Sequence, residues 1–135
     1  MATRYLLDTN ICIHIRQRRP PEVLARFARM QAGDAALSVI TYGELAYGVE
    51  KSDQPRESRR QLMELISLIP VLPLPHEAGD AYGAIRADLK RRGEMMAHND
   101  LWIAAHAKAA GLVLVTANER EFVRVRDLTV ENWAR

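Results

Sequence analysis

Short apolar segments alternate with longer segments of helical periodicity along nearly the whole chain. Such alternation is typical of a parallel sheet, because parallel strands must be joined by crossover connections that are usually helices. The segments predicted as strands are residues 5–7, 36–40, 71–74, 112–115 and 128–130. The chain is therefore predicted to form an α/β fold with three layers, α/β/α, around a central, mainly parallel sheet of about five strands.

Proline and glycine residues mark where several predicted helices begin and end. One helix is expected to run from Pro21 to Gly33, since glycine is the usual residue just past a helix end. A turn is expected at residues 8–10, and further helices over residues 11–15, from Thr41, and over residues 62–69, 78–89 and 100–111. Because no segment is left over for a linker, one domain spanning residues 1–135 is predicted.

Composition and charge exclude several classes of protein. The hydrophobic share of 48% and the charged share of 27% are ordinary for a soluble globular protein. The net charge of +2 is too small to indicate nucleic-acid binding by itself. No apolar segment is long enough for a secretion signal or a membrane span, so a cytoplasmic protein is expected. The lone Cys12 lies among apolar residues and is expected to be a buried thiol.

Acidic and amide side chains stand at the points where predicted strands give way to helices or where helices begin. The segments are Asp8-Thr9-Asn10, Thr41-Tyr42-Gly43-Glu44, His98-Asn99-Asp100 and Thr116-Ala117-Asn118. Because the carboxyl ends of parallel strands meet at one edge of a sheet, these side chains are expected to converge. Clustered carboxylates repel one another unless a divalent cation neutralises them, and oxygen ligands without a Cys or His cluster favour Mg2+, or Mn2+. The expected chemistry is metal-assisted phosphodiester hydrolysis.

Each acid also has a purely structural interpretation. Asp8 can stabilise its own turn through a hydrogen bond to the local backbone. Glu44 stands three residues after Thr41, which is the spacing of a capping box. Asp100 can be a helix N-cap, although helical periodicity also places it on an inward stripe, where a carboxylate needs a cation or a charged partner. The other residues of that stripe are Ile103, Ala107 and Ala110.

Several stretches, spread over nearly the whole chain, together carry a resemblance to a known family. They are YLLDTNIC at residues 5–12, SVITYGEL at 38–45 with Gly48, NDLWIAAHA at 99–107, LVTAN at 114–118 with Glu121 and Phe122, and ENW at 131–133. In these stretches the chain resembles the PIN-domain ribonucleases, and among them the VapC-type toxins of bacterial type II toxin–antitoxin modules. The match is specific because the stretches occur together and in order.

The resemblance implies a metal-dependent endoribonuclease with Mg2+ as its cofactor and with Asp8, Glu44 and Asp100 as its acidic triad. Many relatives carry an aspartate two residues after the threonine that ends the fourth strand, whereas this chain has Asn118 there and its nearest acid is Glu121. The fourth position of the site is therefore left open between Asn118 and Glu121. The side chains expected to orient the carboxylates or the phosphate are Thr9, Asn10 and Thr116.

Partners follow from the same resemblance, which implies a small cognate antitoxin and a homodimer within a heterotetramer or larger assembly. Apolar residues on two predicted helices are expected either to line a groove for a partner helix or to be ordinary core. They are Tyr42, Leu45, Tyr47 and Val49, together with residues 62–69. The implied substrate is RNA, with structured RNA such as transfer RNA a plausible target.

Basic clusters could form a rim that holds the phosphates of that RNA around the acidic pocket. They are residues 16–19, Arg56 with Arg59 and Arg60, residues 90–92, and Arg124 with Arg126. His76, His98 and His106 match no zinc-binding spacing and are expected to be surface or capping residues without a catalytic role.

Two other functions fit parts of this pattern. A phosphoacceptor receiver domain shares the length, the parallel sheet and an acidic magnesium pocket. It needs paired acids after the first strand and an aspartate after the third, whereas here Thr9 follows Asp8 and no aspartate follows residues 71–74. A PIN-like binding module with decayed catalysis is favoured only by Asn118.

Overall fold

A five-stranded sheet lies at the centre of the computed structural model, which describes residues 2–134. The strands are β1 (Tyr5–Leu7), β2 (Ala35–Ser38), β3 (Val71–Leu72), β4 (Val113–Val115) and β5 (Val130–Glu131). They are arranged in the order β3-β2-β1-β4-β5, and every neighbouring pair is parallel. The predicted α/β fold with a parallel sheet of about five strands is confirmed.

Helices cover both faces of this sheet. They are α1 (Thr9–Gln17), α2 (Pro21–Ala28), α3 (Val39–Glu50), α4 (Pro55–Leu68), α5 (Glu77–Arg91), α6 (His98–Ala110) and α7 (Glu119–Phe122). Successive residues of β1 point to opposite faces, so Leu6 belongs to the core formed with α5 and α6, and Leu7 to the core formed with α1, α3 and α4. The three-layer arrangement is therefore confirmed, and Cys12 is buried as expected.

Several boundaries differ from the sequence-based expectation. Strand β2 ends at Ser38 because the hydroxyl of Ser38 accepts a hydrogen bond from the Ile40 amide and so caps α3, which begins before Thr41. Helix α2 ends at Ala28, and Gly33, with a φ of 90°, serves a turn before β2 instead.

The outer strands are shorter than, or shifted from, the predicted ones. Strand β3 stops at Leu72, since Pro73 has no N–H to donate to a neighbouring strand. Strand β5 occupies Val130–Glu131 rather than residues 128–130. Helix α7 was not predicted, because four residues are too few to show helical periodicity. No helix within residues 2–134 is both long and apolar enough to cross a membrane.

The strand order fixes where a ligand can bind. The chain builds the sheet outward from β1 through β2 to β3, and then continues on the opposite side of β1 with β4. In such sheets the crevice lies beyond the carboxyl ends of the strands at which the direction of building reverses. Asp8 directly follows β1 and Thr116 directly follows β4, so both residues lie at that crevice.

Candidate active site

Asp8 is the acidic residue at the end of β1, and it caps the N-terminus of α1. Its Oδ1 accepts a hydrogen bond from the Thr9 amide at 2.8 Å, and its Oδ2 accepts one from the Thr116 hydroxyl at 2.8 Å. Only 4% of Asp8 is exposed. Burial raises the pKa of its carboxyl against the effect of these hydrogen bonds, and the charges of Glu44 and Glu121 raise it further. The expected local hydrogen bond is present, and Asp8 also has acidic neighbours.

Glu44 reaches the same place from the second turn of α3. The Thr9 hydroxyl donates a hydrogen bond to its Oε1 at 2.6 Å. The capping-box interpretation is wrong, because Ser38 is the N-cap of α3 and Thr41 lies inside the helix. The Thr41 hydroxyl is buried and has no hydrogen-bond partner among residues 2–134. Glu44 is therefore held by the residue that follows Asp8 rather than by its own helix start.

Asp100 lies in the first turn of α6. The N-cap of this helix is Ala97, so the N-cap interpretation of Asp100 is wrong. Burial raises the pKa of Asp100 to about 7, assisted by a hydrogen bond with the Glu121 carboxyl and by the negative charges around it. On the predicted inward stripe Ile103 and Ala107 are fully buried, whereas Ala110 is exposed at the end of the helix.

Glu121, on α7, is the fourth carboxylate at this place. It contributes to the raised pKa of both Asp8 and Asp100, and after burial it has the largest effect on Asp100. The Asn118 side-chain amide donates to Glu121 Oε2 at 2.7 Å. Of the two open candidates, Glu121 therefore faces the other acids, and Asn118 holds the Glu121 side chain.

The loop after β4 is fixed by two polar side chains. The Thr116 hydroxyl accepts a hydrogen bond from the backbone amide of Asn118 at 3.0 Å, and it donates its own hydrogen bond to Asp8. Asn10 Oδ1 accepts from the Ala117 amide at 3.0 Å. These contacts join the ends of β1 and β4, so the residues expected to orient the carboxylates do contact them or the loop beside them.

Four carboxylates thus converge, but they remain loosely grouped. Within residues 2–134, no three His, Cys, Asp or Glu side chains are grouped closely enough to form a metal site as they stand. The donor chemistry nevertheless fits Mg2+, which prefers carboxylate oxygens, keeps several waters and usually takes only one or two carboxylates from the protein. Part of the rise in the pKa of Asp8 and Asp100 comes from the neighbouring negative charges, and a divalent cation would relieve that repulsion.

The buried position of His106 contradicts the expectation that it is a surface or capping residue. It is buried, and its Nδ1 lies 2.8 Å from Ser38 Oγ. Burial lowers the pKa of His106 and so favours the neutral ring. The contact joins α6, which carries Asp100, to the start of α3, which carries Glu44. In the sequence, the signal for its burial is that His106 lies within the run of small residues that follows Ile103.

Several arginines of the expected RNA rim are occupied within the protein instead. Arg92 donates to Asp88 Oδ2 at 2.7 Å, and Arg60 forms salt bridges with two glutamates on its own helix. Arg124 donates from Nε to the Glu121 carbonyl at 3.0 Å and from Nη1 to the Glu94 carbonyl at 3.3 Å. It therefore connects α7 with the loop before α6. Because Arg92 and Arg124 have these partners within the protein, they do not belong to the expected rim that binds RNA phosphates.

Comparison with known proteins agrees with this arrangement. The chain matches the PIN domain family over residues 5–128. Ribonuclease VapC2 of Haemophilus influenzae is 42% identical over 130 residues, which cover 96% of this chain and 98% of that protein. The tRNA(fMet)-specific endonuclease VapC of Shigella flexneri is 40% identical over 131 residues, which cover 97% and 98%.

Solved structures give the same result. The DNA-bound VapBC structure from Salmonella typhimurium superimposes with a TM-score of 0.91 at 37% identity, covering 97% of this chain and 98% of that one. VapBC2 of Rickettsia felis, bound to a DNA fragment from its promoter, gives 0.90 at 33% identity, covering 97% and 99%. The chain belongs to the PIN-domain family and, within it, to the VapC type. The resemblance found in the sequence is confirmed.

Proposed function

We propose that this chain is a magnesium-dependent endoribonuclease that acts in the cytoplasm as the toxin of a type II toxin–antitoxin system. The observation that carries the proposal is the arrangement at the carboxyl ends of β1 and β4, where Thr116 holds the Asp8 carboxylate and Thr9 holds that of Glu44. The charges of both carboxylates raise the pKa of Asp100. The ribonuclease names of the relatives support RNA as the substrate. A receiver domain is disfavoured because receivers order their strands 2-1-3-4-5, whereas β1 here lies between β2 and β4.

The proposed roles of the site residues follow from their positions. Asp8 and Asp100 would hold Mg2+, with Glu44 and Glu121 beside them; Mn2+ has the same ligand preference. When bound, the cation lowers the pKa of water and stabilises negative charge on a phosphoryl oxygen. Thr116 fixes the orientation of the Asp8 carboxylate through the hydrogen bond to Oδ2. Like-charge repulsion among the acids makes the site receptive to a cation and selects against anions.

RNA must therefore be held by cations placed outside the carboxylates. A groove extends from Thr9 and Glu44 along α1 and α3 and is also lined by Arg16 and Lys51. Within residues 2–134 neither of these two cations forms a salt bridge with a carboxylate. They are available for phosphates, which position a nucleic acid without reading its sequence. Structured RNA such as transfer RNA is the proposed target.

The proposed protein partner is a cognate antitoxin. The VapBC assemblies among the solved relatives support this partner. Of the apolar residues expected at a partner groove, Leu45, Val49, Leu62, Leu65 and Ile69 are buried core. A separate groove between α1, α2 and α4 fits the apolar face of a partner helix. Its apolar lining residues are Ile15, Leu24, Phe27, Leu65 and Leu68. A homodimer that binds two antitoxin chains is the proposed assembly.

The experiment that tests this function is incubation of the purified chain with labelled structured RNA, with and without Mg2+. Endonucleolytic fragments that require the metal support the enzyme. RNA binding without cleavage would instead favour a decayed binding module. An acyl-phosphate donor provides the third arm, because stable labelling of an aspartate would indicate a receiver.

The fourth carboxylate gives a separate prediction. Glu121→Gln should weaken Mg2+ binding by roughly 10- to 100-fold, the usual cost of losing a group that supports a metal site. Asn118→Asp should tighten binding if the side chain reaches the pocket, because it adds a negative charge beside the cation. Both are measured by titration calorimetry, with Glu22→Gln on the exposed face of α2 as the control. If both site variants bound Mg2+ with the wild-type affinity, neither Asn118 nor Glu121 would belong to the metal site.

A further inference from the structure

One face of α3, together with the C-cap residue Lys51, carries a carboxylate, an aromatic ring and an ammonium group on successive turns. Glu44, Tyr47 and Lys51 are spaced at i, i+3 and i+7, which places them on the same side of a helix. The Lys51 ammonium lies 5.1 Å from the centre of the Tyr47 ring, within the range of a cation–π contact. The Glu44 carboxylate is held at the acidic site by Thr9. The Tyr47 ring therefore stands one turn from the site.

Two grooves meet at Tyr47. The first is the groove that contains Arg16 and Lys51, and the second runs over the start of α3 toward Asn99 on α6. Thr9, Glu44 and Tyr47 line both of them. A chain that passes from one groove to the other across the acidic site must therefore pass Tyr47.

Tyr47 has no role in the core of the protein. It is 65% exposed, more than any other large hydrophobic side chain within residues 2–134. Its ring therefore offers a flat apolar face to solvent at the edge of a negatively charged site. Exposed aromatic rings next to cations are the common platform on which proteins stack single-stranded bases.

The lining of the first groove favours a nucleic acid over a protein helix. Beyond Tyr47 it carries the cations Arg16 and Lys51. Its other polar lining residues are Thr9, Glu44, Ser52, Asp53, Ser58 and Gln61. Cations without a carboxylate partner suit phosphates, and polar side chains suit sugar and base edges. The groove between α1, α2 and α4 also carries arginines, but its five apolar residues form a continuous surface that suits the partner helix.

We propose that Tyr47 stacks on an unpaired nucleobase next to the bond that is cut, with Lys51 contacting a neighbouring phosphate. This inference rests on the proposed ribonuclease function and narrows its substrate class. Bases inside a duplex already stack on both faces, so only an unpaired or splayed base can use the ring. The substrate is therefore RNA whose cut site lies in a loop or another single-stranded segment.

The test compares Tyr47→Phe and Tyr47→Leu in the full-length chain with Mg2+. A stem–loop RNA that the wild type cuts in its loop is the probe. Stacking on one base is worth enough that Tyr47→Leu should raise KM by about tenfold or more, while kcat changes little. Tyr47→Phe keeps the ring and should stay close to the wild type. Because the side chain is exposed, both variants should keep the wild-type melting temperature.

Two further arms isolate the contact itself. On the same RNA with an abasic nucleotide beside the cut bond, the wild type and Tyr47→Leu should have equal KM values, because no base is left to stack. Lys51→Gln should reduce the slope of log KM against log salt by roughly 0.7, the value for one phosphate contact on a single strand. Arg29→Gln is the matched control, since Arg29 is an exposed cation at the end of α2.

The outcomes separate this inference from the function on which it rests. If the wild type cuts no RNA with Mg2+, the ribonuclease function fails and the role of Tyr47 fails with it. If the wild type cuts RNA but Tyr47→Leu keeps the wild-type KM, only the role of Tyr47 is overturned. An unchanged KM together with weaker antitoxin inhibition would assign the ring to the protein partner instead, which also overturns the proposal.

Discussion

Asp100→Asn is expected to abolish metal-dependent RNA cleavage and, at the same time, to raise the melting temperature of the metal-free protein. The loss of activity should exceed about a hundredfold, since even the loss of an outer contact to a metal ligand costs 10- to 100-fold. The gain in stability follows from the pKa of Asp100, which burial and its acidic neighbours raise to about 7. The two readouts are initial cleavage rate with saturating Mg2+ and thermal unfolding in a chelator.

The pH dependence of that gain has a defined sign. The folded-state pKa of Asp100 lies above its ordinary value of 3.8, so ionisation of this carboxyl opposes folding. The penalty grows as the pH rises from the ordinary pKa toward 7 and is complete above it. The stabilisation by Asp100→Asn should therefore be greatest above pH 7 and small near pH 4.

Asp88→Asn is the matched control for this experiment. A hydrogen bond from Arg92 holds the pKa of the Asp88 carboxyl below its usual value, so this carboxylate favours the folded state. Its replacement should lower the melting temperature and leave Mg2+ binding unchanged. A shift of the melting temperature in the same direction for both variants would contradict the position of Asp100 among the acidic residues. RNA cleavage by folded Asp100→Asn would contradict its role in the site.

Expression of the chain without a partner is expected to arrest bacterial growth. An unrestrained ribonuclease in the cytoplasm removes RNA that the cell needs, and even slow cleavage accumulates. Asp8→Asn should relieve the arrest, because it preserves the shape of the side chain but deletes a ligand charge. Colony counts and growth curves after induction measure both effects.

Co-expression of the proposed cognate antitoxin should restore growth. The antitoxin should co-purify as a stable complex, and a basic side chain from it could enter the acidic site and compete with the metal. The matched comparison is Asp8→Asn expressed at the same level, as measured on immunoblots. Harmless expression of active, folded protein without any partner would refute the toxin role and leave the ribonuclease function open.

The fold could be predicted because its signals are local. Strand β1 and the buried stretch of α6 are apolar runs that the sequence shows directly, and Asp8 follows such a run. The start of α3 was misplaced because Ser38, at the end of a buried strand, is also the cap of the next helix. A capping hydroxyl next to apolar residues looks like part of the strand until its hydrogen bond is known.

The candidate site was harder to predict where its contacts are distant in sequence. Thr9 and Glu44 are 35 residues apart, and no spacing rule connects them. Glu121 could be separated from Asn118 only by geometry, since helix α7 is too short to show which side chain points inward. Arg92 and Arg124 looked like free cations because both also donate to backbone carbonyls, which leave no signal in the sequence. The pair of Arg92 with Asp88, at i and i+4 of one helix, could have been predicted.

The most direct test of the central claim is the dependence of RNA cleavage on free Mg2+ in the wild type and in Asp8→Asn, measured on the same labelled structured RNA. The wild type should give a saturable curve that falls to the background of the uncatalysed reaction in a chelator and recovers when Mg2+ or Mn2+ is restored. Asp8→Asn should stay near that background at every concentration while its melting temperature shows that it is folded. Cleavage by the wild type at full rate in the chelator, or by folded Asp8→Asn at the wild-type rate, would contradict a metal-dependent site built on these carboxylates.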